Sequence, residues 1–453
     1  MVLSGGRIAA YAWNSQYDMT VAYVVSVVTT MNQKPVISSK LGNRLVKAIG
    51  PGVVTGAADD DPSGIATYSI AGAQLGTHLL WTAFLTWPLM AFVQMMCARI
   101  GMVTGMGLAQ ALERKFSRRL VLIASVVLFT ANTINIGSDL AGMGDALEVL
   151  SGIPAEIWVV PMGFSIVWAT IALRFRQIEN VLKWLAGILL VYVVTAFLIP
   201  IDWSEVLFAT LVPSLPHGSD AWAALVAILG TTISPYLFFW QTGEEIEDAK
   251  VIGDTDSTQG SISHSRIIER GIDVGLGTLF SNVVMYFIIL TTAMTLHRAG
   301  ITNIDSSKDA ALALRPLAGD LASTLYAIGI LGVGFLAIPT LAGSAAYAMA
   351  ESFRWKEGLD RRYHEAPRFY VVIVVSVSIG MVLSFLDVNP MQALFWTAVM
   401  NGVLAPFLLI GILAIATDKI LMRGQPSSRL SICVVGLTTL LMFAAAIGMF
   451  VLS

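Results

Sequence analysis

The sequence predicts an all-α membrane protein of about eleven transmembrane helices, two of them broken in mid-span. Three observations carry that prediction. First, 56% of the 453 residues are hydrophobic and 13% are charged, against about 25% charged in soluble domains. Second, apolar runs recur along the chain, each near the ~20 residues that cross a hydrocarbon core. Third, two of these runs carry proline and polar residues at their centres. A soluble fold is excluded on these grounds. The net charge of −3 gives no reason to expect a nucleic-acid partner.

The spans fall near 46–75, 78–103, 119–140, 156–174, 181–200, 221–246, 272–296, 321–350, 369–388, 391–416 and 430–452. Polar or Gly/Pro-bearing links separate them, such as Glu113-Arg114-Lys115 and Gly424-Gln425-Pro426. The polar stretch 253–265 reads as an extramembrane loop. Basic residues orient the whole. With a cytoplasmic N-terminus, all but Arg298, Lys308 and Arg315 of the 27 Lys and Arg lie on inside segments or inner span ends. An odd number of spans then places the C-terminus outside. The chain divides into a cytoplasmic segment (1–45), spans 1–5 (46–200), spans 6–10 (201–416) and span 11 (417–453). Met19–Met31 is apolar but too short to span. It is either an interfacial helix or part of an extension upstream of a start at Met31. Cys97 and Cys433 sit in apolar runs and read as small buried hydrophobes.

Span 1 is interrupted. Its first half ends at Ala57-Ala58; then come Asp59-Asp60-Asp61-Pro62-Ser63-Gly64, and the apolar run resumes at Ile65. Neither half crosses a bilayer alone. Pro62 removes a helical N–H and crowds the preceding turn. Carbonyls freed in this way cannot face lipid, so they line a cavity or hold a ligand. A carboxylate at the bilayer centre costs about 2.5–3.5 kcal/mol even on the lenient scale. Three in succession call for a cation, water or protons. The competing reading, a loop between two short non-spanning helices, leaves the apolar flanks unexplained.

Span 6 has a matching defect at Thr231-Thr232-Ile233-Ser234-Pro235-Tyr236. Pro235 should free the carbonyl of Thr231, and Ser234 offers a hydroxyl at the break. Alone, this is an ordinary proline kink. Paired with span 1, five spans earlier, it suggests two five-helix halves related by inversion, with facing breaks that form a site at mid-membrane. Asp139 lies inside span 3, where an ionisable residue reads as functional by default. Glu244 and Glu245 end span 6. They form either a solvated helix end or an acidic inner vestibule. Asn401 in span 10 is a less certain polar ligand. The histidines are scattered and receive no metal role.

At these residues the chain resembles the NRAMP family of divalent metal transporters. Gly50-Pro51-Gly52 followed by Asp61-Pro62-Ser63-Gly64 is similar to the family's GPG…DPGN signature at the same spacing. Ser138-Asp139-Leu140-Ala141 resembles its TDLA, and Thr340-Leu341-Ala342-Gly343 with Glu351 its TLAG…E. The resemblance implies a LeuT-like fold, with spans 1–5 and 6–10 as inverted repeats. It also implies a metal site at Asp61, at the position of Gly64 where the family has Asn, and at the Thr231 carbonyl. The family's MPH in span 6 reads Ser234-Pro235-Tyr236 here, so the thioether ligand is lacking. Its proton route implies roles for Asp139, Tyr236 and Gln241. Gly142 stands where that route has Glu, and Tyr236 and Gln241 stand where it has histidines.

Losing the thioether favours hard ions, because carboxylate, carbonyl and water suit Mg²⁺ and Mn²⁺. With Asp59 and Asp60 added to Asp61, the expected cargo is Mg²⁺ or Mn²⁺, with weak or absent proton coupling. The expected partners are that ion and the lipid bilayer, in a bacterial plasma membrane. No resident cofactor is expected. Nothing sets an oligomeric state, and a monomer is compatible with the sequence. The alternative is a LeuT-fold carrier of an amino acid or organic cation. An intramembrane enzyme finds no support, since neither HExxH nor GxSxG occurs.

Overall fold

The computed structural model describes residues 56, 59–173, 187–251, 264–386 and 388–451. The first half of span 1 lies almost wholly outside the described residues, as do Met19–Met31 and most of the stretch 253–265. Among the described residues the structure is helical. In chain order the helices are α1 Pro62–Leu75, α2 Trp81–Thr104, α3 Leu108–Glu113, α4 Arg118–Ser151 and α5 Ala155–Ala172. They continue with α6 Val191–Leu198, α7 Trp203–Leu211, α8 Ser219–Thr232, α9 Pro235–Val251 and α10 His264–Thr295. The remainder are α11 Ser307–Ala311, α12 Arg315–Ala318, α13 Ala322–Phe353, α14 Pro367–Leu383, α15 Pro390–Ala416 and α16 Arg429–Val451.

Among the described residues eight stretches, with α8–α9 taken together, are long and apolar enough to cross a membrane. The shorter apolar segments Gly187–Leu198 and Pro367–Leu383 stand at spans 5 and 9. Helix α1 stands at the second half of span 1. Large apolar side chains such as Phe84, Phe164, Trp168 and Phe450 are exposed, as a hydrocarbon solvent permits. The chain is an integral membrane protein. Span 3 extends to Ser151, well past the expected 140, because no breaker interrupts it before Gly152 closes the helix with φ 70°. Cys97 is buried as expected. Cys433 is exposed, because α16 is a peripheral helix.

The apolar window of α8–α9 is 89% buried, against 33% for α16. The broken sixth span is therefore the centre of the bundle and the eleventh its edge. Helix α1 packs against α10, α15, α8 and α4, and nearly all of it is buried. Small residues allow the close approach. A Cβ on Gly230 would strike the backbone of Ala398 and Gly402, so α8 lies directly on α15 beside the break.

Candidate functional site

Both interruptions are present where proline dictates them. Helix α1 starts at Pro62, with Asp60 and Asp61 non-helical before it. Proline suits the first helical position, where its missing N–H is no loss. Asp61 is the N-cap: its Oδ1 accepts the Gly64 N–H at 2.7 Å and the Ser63 hydroxyl at 2.6 Å. In span 6, α8 ends at Thr232, Ile233 takes φ −119° and ψ 56°, and α9 begins at Pro235. The C-terminal end of α8 and the N-terminal end of α1 therefore meet inside the bundle. Their contact is direct. A Cβ on Gly64 would lie 3.0 Å from Thr231 Oγ1 and 3.5 Å from Asp61 Oδ1.

One expectation needs correction. The Thr231 carbonyl is not bare, because Ser234 Oγ donates to it at 2.8 Å and also reaches the Gly230 carbonyl at 2.7 Å. Serine's short side chain returns to the turn that proline has opened. Ser234 thus supplies its hydrogen to the helix, and only its oxygen lone pairs remain for a ligand.

The aspartates divide into two groups. Asp61 faces span 3: its Oδ2 accepts from Asn135 Nδ2 at 3.3 Å, and the same nitrogen donates to Asp139 Oδ2 at 3.2 Å. The start of α1 at Ser63 lies near Asp139 as well. The positive end of α1 thereby faces both carboxylates. Asp59 and Asp60 face span 7 instead. Ser281 of α10 reaches Asp59 Oδ2 at 2.7 Å and Asp60 Oδ1 at 3.1 Å. A hydroxyl carries one hydrogen, so it cannot satisfy two carboxylates at once. Asp59 Oδ1, Asp60 Oδ2, Asp139 Oδ1, Asn135 Oδ1 and Thr231 Oγ1 are buried with no hydrogen-bond partner among the described residues. Tyr68 lies within electrostatic reach of all three aspartates and beside Thr231, and Tyr236 faces Asp61, Asp59 and Asp139.

Among the described residues, no three carboxylate, histidine or cysteine side chains are gathered at metal-binding spacing. The unpartnered oxygens are mixed: carboxylate, amide and hydroxyl. Such a set suits a hard cation more than a soft one.

Other expected site residues lie elsewhere. Gln241 is in α9 and donates to Glu245 Oε1 at 2.9 Å, away from the break. Glu244 and Glu245 are buried, so neither a solvated helix end nor an open vestibule describes them in this structure. For Glu245, Arg270 of α10 supplies the counter-charge. Its guanidinium pairs with Glu245 at 2.7 Å and with Asp248 and Asp273 at 2.9 Å each. Asn401 is buried in α15 with no hydrogen bond to the aspartates. Sequence reasoning missed Asn135, Ser281, Tyr68 and Arg270. Asn135 had one available signal, since it lies four residues before Asp139 on the same helical face.

A model of the family described as natural resistance-associated macrophage protein-like, Nramp, matches residues 52–452. The chain belongs to the NRAMP family. Among relatives of this NRAMP chain is the divalent metal cation transporter MntH of Verminephrobacter eiseniae. It is 29% identical over 372 residues, covering 78% of this chain and 81% of the relative. Among solved structures, the manganese transporter of Eremococcus coleocola, in complex with an aromatic bis-isothiourea compound, superposes with a TM-score of 0.70. It shares 20% identity, over 92% of this chain and 90% of that one. Mhp1, a nucleobase-cation-symport-1 family transporter in a closed conformation, gives 0.51 at 14% identity over 88% and 92% of the two chains. The NRAMP chain therefore has the LeuT-like fold, with five-helix inverted repeats and the first and sixth helices broken.

Proposed function

We propose that this chain carries divalent cations, Mg²⁺ or Mn²⁺, across the membrane by alternating access. The single observation that supports this most is the meeting of the α1 and α8 ends beside Asp61. Buried side-chain oxygens of three chemical kinds, carboxylate, amide and hydroxyl, lie around that meeting point without partners among the described residues. In the proposed site Asp61 is the principal ligand, with Thr231, Asp59, Asp60 and the lone pairs of Ser234 around it. Gly64 contributes space instead of a donor. The relatives' names speak of divalent metal, which is consistent with this reading. The absence of a sulfur ligand at Ser234 favours hard ions. In this reading, residues 46–200 and 201–416 are the two repeats that rock about the site. The N-terminus is cytoplasmic, in a bacterial plasma membrane.

Proton coupling in this reading is weak or absent. Asp139 is tied to Asn135, tyrosine at position 236 does not serve as a neutral-pH proton carrier as histidine would, and Gln241 is engaged by Glu245. Uptake into proteoliposomes tests both parts. Flux of Mg²⁺ or Mn²⁺ without matching internal acidification is expected. Uptake of neither ion would end the reading, and stoichiometric acidification would refute the uncoupled part. The organic-cation alternative has no specific observation in its favour; three adjacent aspartates repel a substrate carboxylate.

A further inference from the structure

Helix α4 presents a polar face made of Asn132, Asn135 and Asp139. The two asparagines do different work. Asn132 donates to the Leu341 carbonyl at 2.8 Å and to Ser344 Oγ at 2.9 Å, which fastens α4 to α13. Asn135 donates instead to Asp61 Oδ2 at 3.3 Å and Asp139 Oδ2 at 3.2 Å. Those acceptors determine how the amide lies. Turned the other way, its oxygen would confront two carboxylate oxygens. With Nδ2 held by both anions, Oδ1 is the atom left for a further partner. That oxygen is buried and has no hydrogen-bond partner among the described residues. A buried amide oxygen left in this condition is unfavourable unless something else meets it.

We propose that Asn135 is a ligand of the transported divalent cation, binding through Oδ1 beside Asp61. This assignment rests on the transport reading given above. Its chemistry follows from charge. The amide gives its two hydrogens to Asp61 and Asp139 and its oxygen to the ion. One side chain thus holds two anions and a cation in alternation without adding charge of its own. A neutral amide oxygen is a hard donor that suits Mg²⁺ and Mn²⁺. It also offsets Gly64, which brings no side chain to the same wall. The span-3 helix then carries part of the site, alongside the two broken spans.

Electron–nuclear double resonance on Mn²⁺ tests the assignment in the intact, detergent-solubilised chain. The asparagines are labelled with ¹³C at Cγ, and Mn²⁺ is the probe. A ¹³C coupling to bound Mn²⁺ is expected in the wild type, lost in Asn135→Ser and retained in Asn401→Ser. Mn²⁺ affinity in Asn135→Ser should fall by more than about tenfold, and counting with ¹⁷O-water should find an extra water on the ion. Wild-type Mn²⁺ without a ¹³C coupling overturns the proposal, and this holds even if Asn135→Ser fails to fold. Weaker binding with an unchanged water count reduces Asn135 to a positioning residue and also overturns it. The underlying reading is tested separately with Asp61→Asn. If that variant binds Mn²⁺ like the wild type, the reading fails; if it loses Mn²⁺ while no ¹³C coupling exists, only the Asn135 assignment fails.

Discussion

Ser234 turns its hydroxyl back onto the carbonyl of Thr231, 2.8 Å away, and so repairs the turn that Pro235 opens. Replacing it with alanine strips a donor from two buried carbonyls. We expect Ser234→Ala to lose about 1–2 kcal/mol of stability, read as a lower Tm in detergent. Its preference among ions should be little changed. Ser234→Met, which adds a thioether, should raise Cd²⁺ uptake relative to Mg²⁺. An unaltered Cd²⁺/Mg²⁺ ratio in proteoliposomes would count against a ligand position at Ser234.

Asp61 combines a structural duty with the proposed ligand role, and two variants separate them. Asp61→Ala removes the N-cap of α1 and should cost about 0.5–2 kcal/mol. Asp61→Asn keeps a capping oxygen while removing the charge, so its Tm should stay near that of the wild type. Both variants should lose metal uptake. Normal uptake by Asp61→Asn would refute the role given to its charge.

Ser281 supplies the hydrogen bonds that the structure gives to Asp59 and Asp60. Ser281→Ala should destabilise the protein by about 1–3 kcal/mol, since it leaves two buried carboxyls without their donor. Asp60→Asn should recover part of that loss, because it removes a charge that faces Asp59. A double-mutant cycle on Tm measures the coupling. Strict additivity of the two substitutions would show that Ser281 does not bridge the pair.

Arg270 is enclosed by Glu245, Asp248 and Asp273 and joins α9 to α10. Its removal leaves several buried negative charges without their counter-ion. Arg270→Gln should cost about 3–5 kcal/mol. Arg270→Lys should recover only part of this, since one ammonium cannot match a planar fork on three carboxylates. A Tm for Arg270→Gln within a degree of the wild type would contradict the clamp.

The fold was largely legible, because the bilayer imposes a length rule on helices and a heavy penalty on stray polar groups. Pro62 and Pro235 marked the two breaks to within a residue, since a proline cannot hide in a helical hydrogen-bond ladder. The partners across space were not legible. Nothing in the local sequence says that Asp59 and Asp60 turn toward Ser281 while Asp61 turns toward Asn135. That division depends on how α10 and α4 each pack against α1. Glu244 and Glu245 read as a wet helix end or an acidic vestibule because their polarity is visible, whereas Arg270, the cation that pairs with Glu245, lies in another helix. Ser234 was recognised as a polar group at the break. Whether a serine at such a point faces a cavity or bonds its own turn depends on one side-chain rotation, which periodicity does not encode.

The capping bond at the start of α1 has a consequence for turnover. One oxygen of Asp61 is engaged by the Gly64 N–H and the Ser63 hydroxyl, and its twin accepts only the longer bond from Asn135, so in the proposed site the incoming ion meets that second oxygen. In the proposed site a carboxylate divided in this way would grip the ion in monodentate fashion, and water could compete for the remaining coordination positions. A carrier gains from that looseness, because cargo clasped too firmly would never leave on the far side.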